Sequence, residues 1–239
     1  MKRIRIHAVT AIVAAAALSV FGAAAEAQPY AARHASNEIR FRAGVFIPEG
    51  GSGYWDDSFK VFDGEQHDFI GGAFGFDYMH EIAPFLDIML GSSYYYADHD
   101  LAYRDFEDEN GRSIIHTTRI TTSSFDAGLV FRLAPRHAPI VPYIGGGGTV
   151  LFYELIEEGD FVDFDRHPPR IFTDHFHAQD IAYGWYAMAG LEFPINHGFA
   201  LFAEGRWQDA HASLGEDFSG FGRIDLTGAY VTFGGSWRF

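Results

Sequence analysis

The sequence predicts an all-β fold, an eight-stranded antiparallel up-and-down transmembrane β-barrel with long extracellular loops and short periplasmic turns. Three observations carry this. Segments of the chain from Glu38 to Phe239 alternate apolar with small or polar side chains, the period of two that marks a strand with one greasy side. The connections between these segments alternate long and short. The amino terminus reads as an export leader, and no later stretch approaches the roughly 20 apolar residues a membrane helix needs. A chain that crosses a membrane without such a helix crosses it with strands.

The leader has three parts. Lys2, Arg3 and Arg5 form a positive region, Ala8 to Ala25 is an alanine-rich apolar run, and Ala25-Glu26-Ala27 before Gln28 is a small-x-small cleavage pattern. Residues 1–27 are therefore assigned as a signal peptide, 28–37 as a flexible polar segment, and 38–239 as the barrel. Removing the leader takes away three bases and one acid, leaving 14 basic and 31 acidic residues and a formal charge of −17. Such a chain lacks the positive surface that releases counterions from nucleic acid. Cysteine is absent, so closure depends on pairing and packing rather than disulfides. The 17% aromatic content and 27 glycines suit half-apolar strands joined by polar loops.

The strands follow in order. Glu38 to Ile47 sets Ile39, Phe41, Ala43, Val45 and Ile47 against Arg40, Arg42 and Gly44, and two arginines within a strand need polar surroundings. Glu49 to His67 is a long loop rich in Gly, Asp and aromatics. The second strand, Asp68 to Tyr78, puts Ile70, Phe74, Phe76 and Tyr78 outward and Gly71, Ala73, Gly75 and Asp77 inward. A tight turn at Glu81 to Pro84 leads to the third, where Leu86, Ile88, Leu90, Tyr94 and Tyr96 alternate with Asp87, Met89, Gly91 and Ser93. Ala97 to Arg112 is the second long loop, with six acids between Asp98 and Glu109.

The fourth strand runs from Ile114 to Arg132, longer than the 9–11 residues of a membrane crossing. Phe125, Ala127, Leu129 and Phe131 oppose Asp126, Gly128 and Arg132, and the upper stretch Thr117 to Ser124 projects beyond the bilayer. Ala134 to Pro142 is a proline-bearing connection that cannot continue a ladder. The fifth strand opens on Tyr143 and Ile144, continues through four glycines, Gly145 to Gly148, and ends near Tyr153. The glycines lack the Gly-Lys-Ser/Thr and helix of a phosphate loop, and instead relieve crowding in a small barrel. Leu155 to Gln179 is the longest loop.

In the sixth strand Trp185, Ala187, Ala189, Leu191 and Phe193 oppose Gly184, Tyr186, Met188, Gly190 and Glu192. After the turn Pro194 to Gly198, the seventh sets Phe199, Leu201, Ala203 and Trp207 against Phe202, Glu204, Arg206 and Gln208. Asp209 to Arg223 is the fourth long loop. The eighth strand, Ile224 to Phe239, carries Ala229, Val231, Phe233, Trp237 and Phe239 on one face and Tyr230, Thr232, Gly234, Ser236 and Arg238 on the other.

Every long connection follows an odd-numbered strand. With both termini in the periplasm, all long loops fall outside the cell and all short turns inside, the asymmetry of a bacterial barrel; a soluble sandwich has no reason to sort its loops so. Aromatics near strand ends (Tyr78, Phe85, Tyr94, Tyr96, Phe131, Tyr143, Trp185, Phe193, Phe199, Trp207 and Trp237) suit interfacial girdles.

Three stretches, Pro142-Tyr143-Ile144-Gly145-Gly146-Gly147-Gly148, Phe202-Ala203-Glu204-Gly205-Arg206-Trp207 and the terminal Trp237-Arg238-Phe239, resemble those of the small bacterial outer-membrane β-barrel superfamily that holds OmpA-like transmembrane domains and opacity-type outer membrane proteins. The resemblance covers residues 38–239. It implies an outer membrane localisation in a Gram-negative bacterium, contact with outer-membrane lipid and lipopolysaccharide, and recognition of the last strand (Val231, Phe233, Trp237 and Phe239) by the barrel assembly machinery. These motifs specify architecture and say almost nothing of activity.

Three candidate sites follow. The inward charges Arg40, Arg42, Asp77, Asp87, Asp126, Arg132, Glu192, Glu204, Arg206 and Arg238 lie in a lumen only wide enough for side chains to fill, so they are expected to pair, with Glu204 and Arg206 pairing to neighbouring strands. In the third long loop, Asp163, Asp165, His167, Asp174, His175 and His177 are of ligand type but lack a fixed ligand spacing, so no metal or cofactor is assigned. The acidic loops as a group offer carboxylates to divalent cations, Ca²⁺ or Mg²⁺, that could bridge to lipopolysaccharide phosphates. His211-Ala212-Ser213 faintly resembles the histidine-x-serine element of barrel lipid A deacylases, but Leu214 stands where that motif has asparagine. The expected function is that of a non-enzymatic outer-membrane barrel with a structural, envelope-stabilising or surface-interaction role. A small-solute, porin-like channel is the alternative, and a lipid A-modifying enzyme a remote one.

Overall fold

The computed structural model describes residues 36–239 apart from 52, 165, 219 and 220; the signal peptide and most of the 28–37 segment fall outside the described residues. Eight strands form the ring: β1 Asn37–Pro48, β2 Gly71–Ala83, β3 Leu86–Glu107, β4 Ser113–Arg132, β5 Val141–Asp163, β6 Arg170–Pro194, β7 Phe199–Ser213 and β8 Gly228–Arg238. Each pairs antiparallel with its sequence neighbours, and β8 pairs with both β7 and β1, Glu38 lying opposite Arg238 and Pro48 opposite Gly228. The ends are tied at Phe239, whose N–H donates to the Asn37 carbonyl (3.0 Å) while the Asn37 N–H donates to its own (3.1 Å).

At one end, here called proximal, the strands meet in short connections. Gly71 to Ala83 passes to Leu86 through Pro84 and Phe85 alone, and Phe85 takes a left-handed backbone (φ 69°) to make that turn, a conformation costing an L-residue about 1–2 kcal/mol. At the other, distal end the strands run further than the sequence reading expects. The expected loop Ala97 to Arg112 is strand as far as Glu107, and the expected loop Leu155 to Gln179 is a hairpin whose strands stop only at Asp163 and restart at Arg170. Asp209 to Arg223 likewise contributes strand up to Ser213.

The reason is an inversion of sidedness without a change of register. Along β7 the outward row Leu201, Ala203, Trp207 continues as Asp209 and His211, while the inward row Glu204, Arg206, Gln208 continues as Ala210 and Ala212. Along β5, outward Val150 and Phe152 give way to Glu154 and Glu158, and inward Thr149 gives way to Leu151, Tyr153 and Leu155. A pattern that exchanges its faces partway resembles the end of a strand, yet the ladder carries on.

Two further departures lie at the distal end. Asp68 and Phe69 belong to a 3₁₀ turn, Gln66–Phe69, so β2 starts only at Gly71. Ile224 sits in a short strand, Arg223–Asp225, that pairs with the top of β7, and β8 begins at Gly228. The first long loop holds a helix, α1 Gly53–Val61, followed by a two-residue strand, Phe62–Asp63, paired with β3. Asp56 in the first turn and Lys60 in the last suit the helix dipole, and Tyr54, Trp55 and Ser58 form its buried side. The helix opens on Gly53 with positive φ, where a Cβ would stand 2.6 Å from the Phe221 carbonyl oxygen.

α1 lies over the distal mouth. Trp55 packs on Phe59 and Phe69, Tyr54 on Phe218 and Phe221, and these join Phe46, Tyr95, Leu101, Leu151 and Ile224 in one buried apolar core. The indole of Trp55 donates to the Asp225 carbonyl at 3.0 Å. Below, around the middle of the barrel, the outer wall is a belt of exposed apolar side chains, Phe74 at 58%, Leu90 at 55% and Phe233 at 69%, a surface too large and apolar for water.

Candidate functional site

The proximal interior is a network of ion pairs. Alternation turns Glu38, Arg40 and Arg42 of β1 to the inside, and the barrel's width brings charges from opposite strands within reach. Glu38 is the hub. It accepts from Arg40 (2.5 Å), Arg132 (2.9 Å) and Arg238 (3.3 Å), with Arg136 at 3.6 Å. Arg40 also reaches Glu192 at 2.7 Å, and Glu192 holds Arg238. Asp87 takes Arg132 and, at 2.6 Å, Arg136. The Arg40 guanidinium lies over the Tyr143 and Phe202 rings, 4.7 and 5.0 Å from their centroids.

A second layer sits above. Arg42 grips Asp77 with two bonds of 3.0 and 3.1 Å, a bidentate geometry that adds strength to a charged pair. Arg206 crosses the lumen to Asp126 at 2.6 Å and stands 3.7 Å from Asp77. Thr149 donates to Asp126 (2.7 Å) and Tyr143 to Glu204 (3.0 Å). Two glycines make room: a Cβ on Gly75 would lie 2.7 Å from Arg42 Cζ, and one on Gly91 would lie 2.4 Å from Asp77 Oδ1.

All ten inward charges singled out from the sequence thus stand in this lumen, each within 4 Å of an opposite charge. Their partners differ from the expected ones. Arg206 of β7 bonds across the lumen to β4 and β2 rather than to neighbouring strands, and Glu204 has Tyr143 of β5 and its own strand's Arg206 (3.6 Å). A narrow barrel makes the far wall as reachable as the next strand. Two members, Glu38 and Arg136, stand outside the ten inward charges expected from the sequence. Glu38 was detectable, because it shares a face with Arg40 and Arg42 at a spacing of two; Arg136 was not, because it rises from a turn where no period applies. Tyr143, assigned to the outer girdle, is instead an inward residue, 1% exposed.

Distally, the buried Tyr54 of α1 donates to Glu157 Oε1 at 2.5 Å. Burial pushes the Glu157 carboxyl up to about 6, and burial beside that carboxylate holds the Tyr54 hydroxyl well above the usual phenol range. His116, enclosed by the Phe62 and Phe161 rings, is pushed down to about 4 by burial.

The loop-three residues do not converge. Asp163 pairs with Arg166 at 3.0 Å, Asp174 caps the His175 amide, His177 meets Glu154 at 3.1 Å, and His175 stands 3.9 Å from Glu158. Asp165 lies outside the described residues, and among the described residues no three such side chains are placed to hold a metal ion. His211 turns its ring nitrogens to Asp225 (3.1 Å) and Asp209 (3.6 Å) rather than to Ser213. Val231, Phe233, Trp237 and Phe239 form an exposed outer row ending the chain.

No family model matches the chain, and no curated protein matches it in sequence. Solved structures do. The outer membrane protein OprG from Pseudomonas aeruginosa is 12% identical, with 86% of this chain covering 97% of that one at a TM-score of 0.51. Neisserial surface protein A is 10% identical, with 85% of this chain covering 96% of that one at a TM-score of 0.49. The ring of eight strands and the likeness to OprG give one conclusion: this chain has the fold of the small eight-stranded outer-membrane β-barrels.

Proposed function

We propose that the protein is a non-enzymatic barrel of a Gram-negative outer membrane that strengthens the envelope and presents a surface outside the cell, with a lumen closed to solutes. The observation that carries this is the interior. Six arginines and six carboxylates fill the proximal lumen as pairs, and an aromatic core with α1 covers the distal mouth. Charges that are buried and mutually paired do not serve as free sites for passing ions. The apolar belt favours lipid around the barrel, and the exposed terminal row ending at Phe239 favours recognition by the assembly machinery. The distal carboxylates favour divalent cations bridging to lipopolysaccharide phosphates.

Conductance of the refolded protein in a planar bilayer tests this reading, with heat-modifiable gel migration verifying the closed barrel. The expected result is a folded, shifted band without steady openings. Large, steady conductance from the same preparation would establish a channel instead.

A further inference from the structure

β6 outruns its neighbour. Residues 183–194 pair with β7, but residues 170–182 pair with β5 alone. Each residue of a strand turns its N–H and C=O to one side, and successive residues alternate. The His177 amide donates to Asp217 Oδ2 (3.3 Å), on the segment that follows β7. The odd-numbered residues from Ile171 to Ile181 therefore face away from β5, along an edge that no strand covers among the described residues and on which the 3₁₀ turn Glu216–Phe218 rests only near Phe176 and His177. Ile171, Thr173, His175, Gln179 and Ile181 are exposed to solvent. An edge left without a ladder partner over this length is a template for another strand.

This edge carries its own charge code. Three of its amides are held by carboxylates, His175 by Asp174 (2.8 Å), His177 by Asp217, and Ile181 by Asp180 (2.8 Å). Those of Ile171, Thr173 and Gln179 have no such partner among the described residues. A lysine or arginine on an incoming strand would draw a carboxylate outward and free the amide beneath it for pairing. A second copy of this chain would instead set the same carboxylates against each other, and opposed like charges destabilise a strand pair.

We infer that the open edge of β6, residues 171–181, docks an extended basic segment of a partner protein, which adds to the sheet as a strand. Backbone pairing supplies the contact and the three aspartates select for positive side chains. The site meets such a partner in the cell only if the hairpins lie outside it, as proposed above. Binding is measured on the refolded barrel, so its failure leaves the closed-lumen reading intact.

The test is fluorescence anisotropy of the full mature chain, refolded in nanodiscs, with a labelled synthetic peptide of about ten residues alternating lysine and valine. Expected is saturable binding that weakens with salt, and weakening of about tenfold or more when alternate peptide amides are N-methylated. Gln179→Pro removes an edge-facing amide without touching the β5 ladder, and is expected to lower affinity about tenfold while the folded gel band persists. The triple variant Asp174→Asn, Asp180→Asn, Asp217→Asn is expected to lose preference for the lysine peptide over its glutamate counterpart. Equal binding of the N-methylated peptide would reduce the effect to diffuse attraction and overturn the proposal. So would equal binding of the glutamate peptide by the unmodified chain, absence of lysine-peptide binding, or a dimer that Gln179→Pro abolishes.

Discussion

The two halves of this barrel fill the same kind of space with opposite chemistry. In the proximal half the inside is charged and the outside apolar; in the distal half the inside is aromatic and aliphatic and the outside acidic. Net charge follows the same division. Of the residues from Gln28 onward, segments 49–70, 97–122, 153–180 and 208–227 hold 24 acids and 7 bases, and the remainder holds 7 of each. The proximal lumen is thus neutral by internal pairing, six arginines against six carboxylates, and the four distal segments carry a net −17. Each half is the sensible solution for its surroundings. Where the outer wall is apolar, polar side chains can only go inward; where the outer wall meets water, the interior can be an ordinary hydrophobic core.

The halves should break differently. Glu38→Ala has the largest expected effect, because it leaves several buried arginines without their shared carboxylate: about 3–5 kcal/mol lost, read as a lower urea midpoint in folded samples. Trp55→Ala should cost about 3 kcal/mol, but only in the distal half. Proteolysis should then cut within 53–69 while the heat-modifiable band survives. If Trp55→Ala abolished the band, the halves would not be separable.

Gly91→Val tests the space in the ion-pair layer. Its side chain would collide with Asp77, for an expected cost of about 1–3 kcal/mol, and unchanged stability would show that the layer can shift. Titration sharpens the contrast distally. Glu157, raised to about 6, contributes stability that is present below its unfolded value of 4.5 and lost as pH rises through 6. His116, lowered to about 4, contributes stability present above 6.5 and lost as pH falls through 4. The two oppose, and the larger His116 displacement should make cap protection in hydrogen exchange fall on acidification from pH 7 to 4. Glu157→Gln should steepen that fall, and an unchanged slope would show that Glu157 plays no part in it. The smallest effect belongs to Glu158→Gln, at an exposed pair with His175, expected within about 0.5 kcal/mol.

The proximal half was far more legible than the distal one. Strict alternation over Glu38 to Ile47 or Trp185 to Phe193 says which side chains share a wall, and ten of the lumen's charges follow from it. What alternation does not say is which wall faces which partner across a closed ring, so Arg206 was matched to the wrong strands and Tyr143 to the wrong face. The distal strands were hidden by the exchange of faces itself. At Asp98, Glu154 and Asp209 an acid lands on the formerly apolar row, which reads as a loop if one expects a single sidedness. α1 was hidden for another reason: it is short, and its buried Tyr54 and Trp55 gain stability from the barrel mouth rather than from any helical pattern of their own.

The exchange of faces can be located directly. Single fluorophores placed in turn at outward positions 201, 203, 205, 207, 209, 211 and 213 of β7, in bilayers of brominated lipid, should be quenched up to position 207 and spared from 209 onward. Quenching that continued to 213, or none along the whole row, would contradict it.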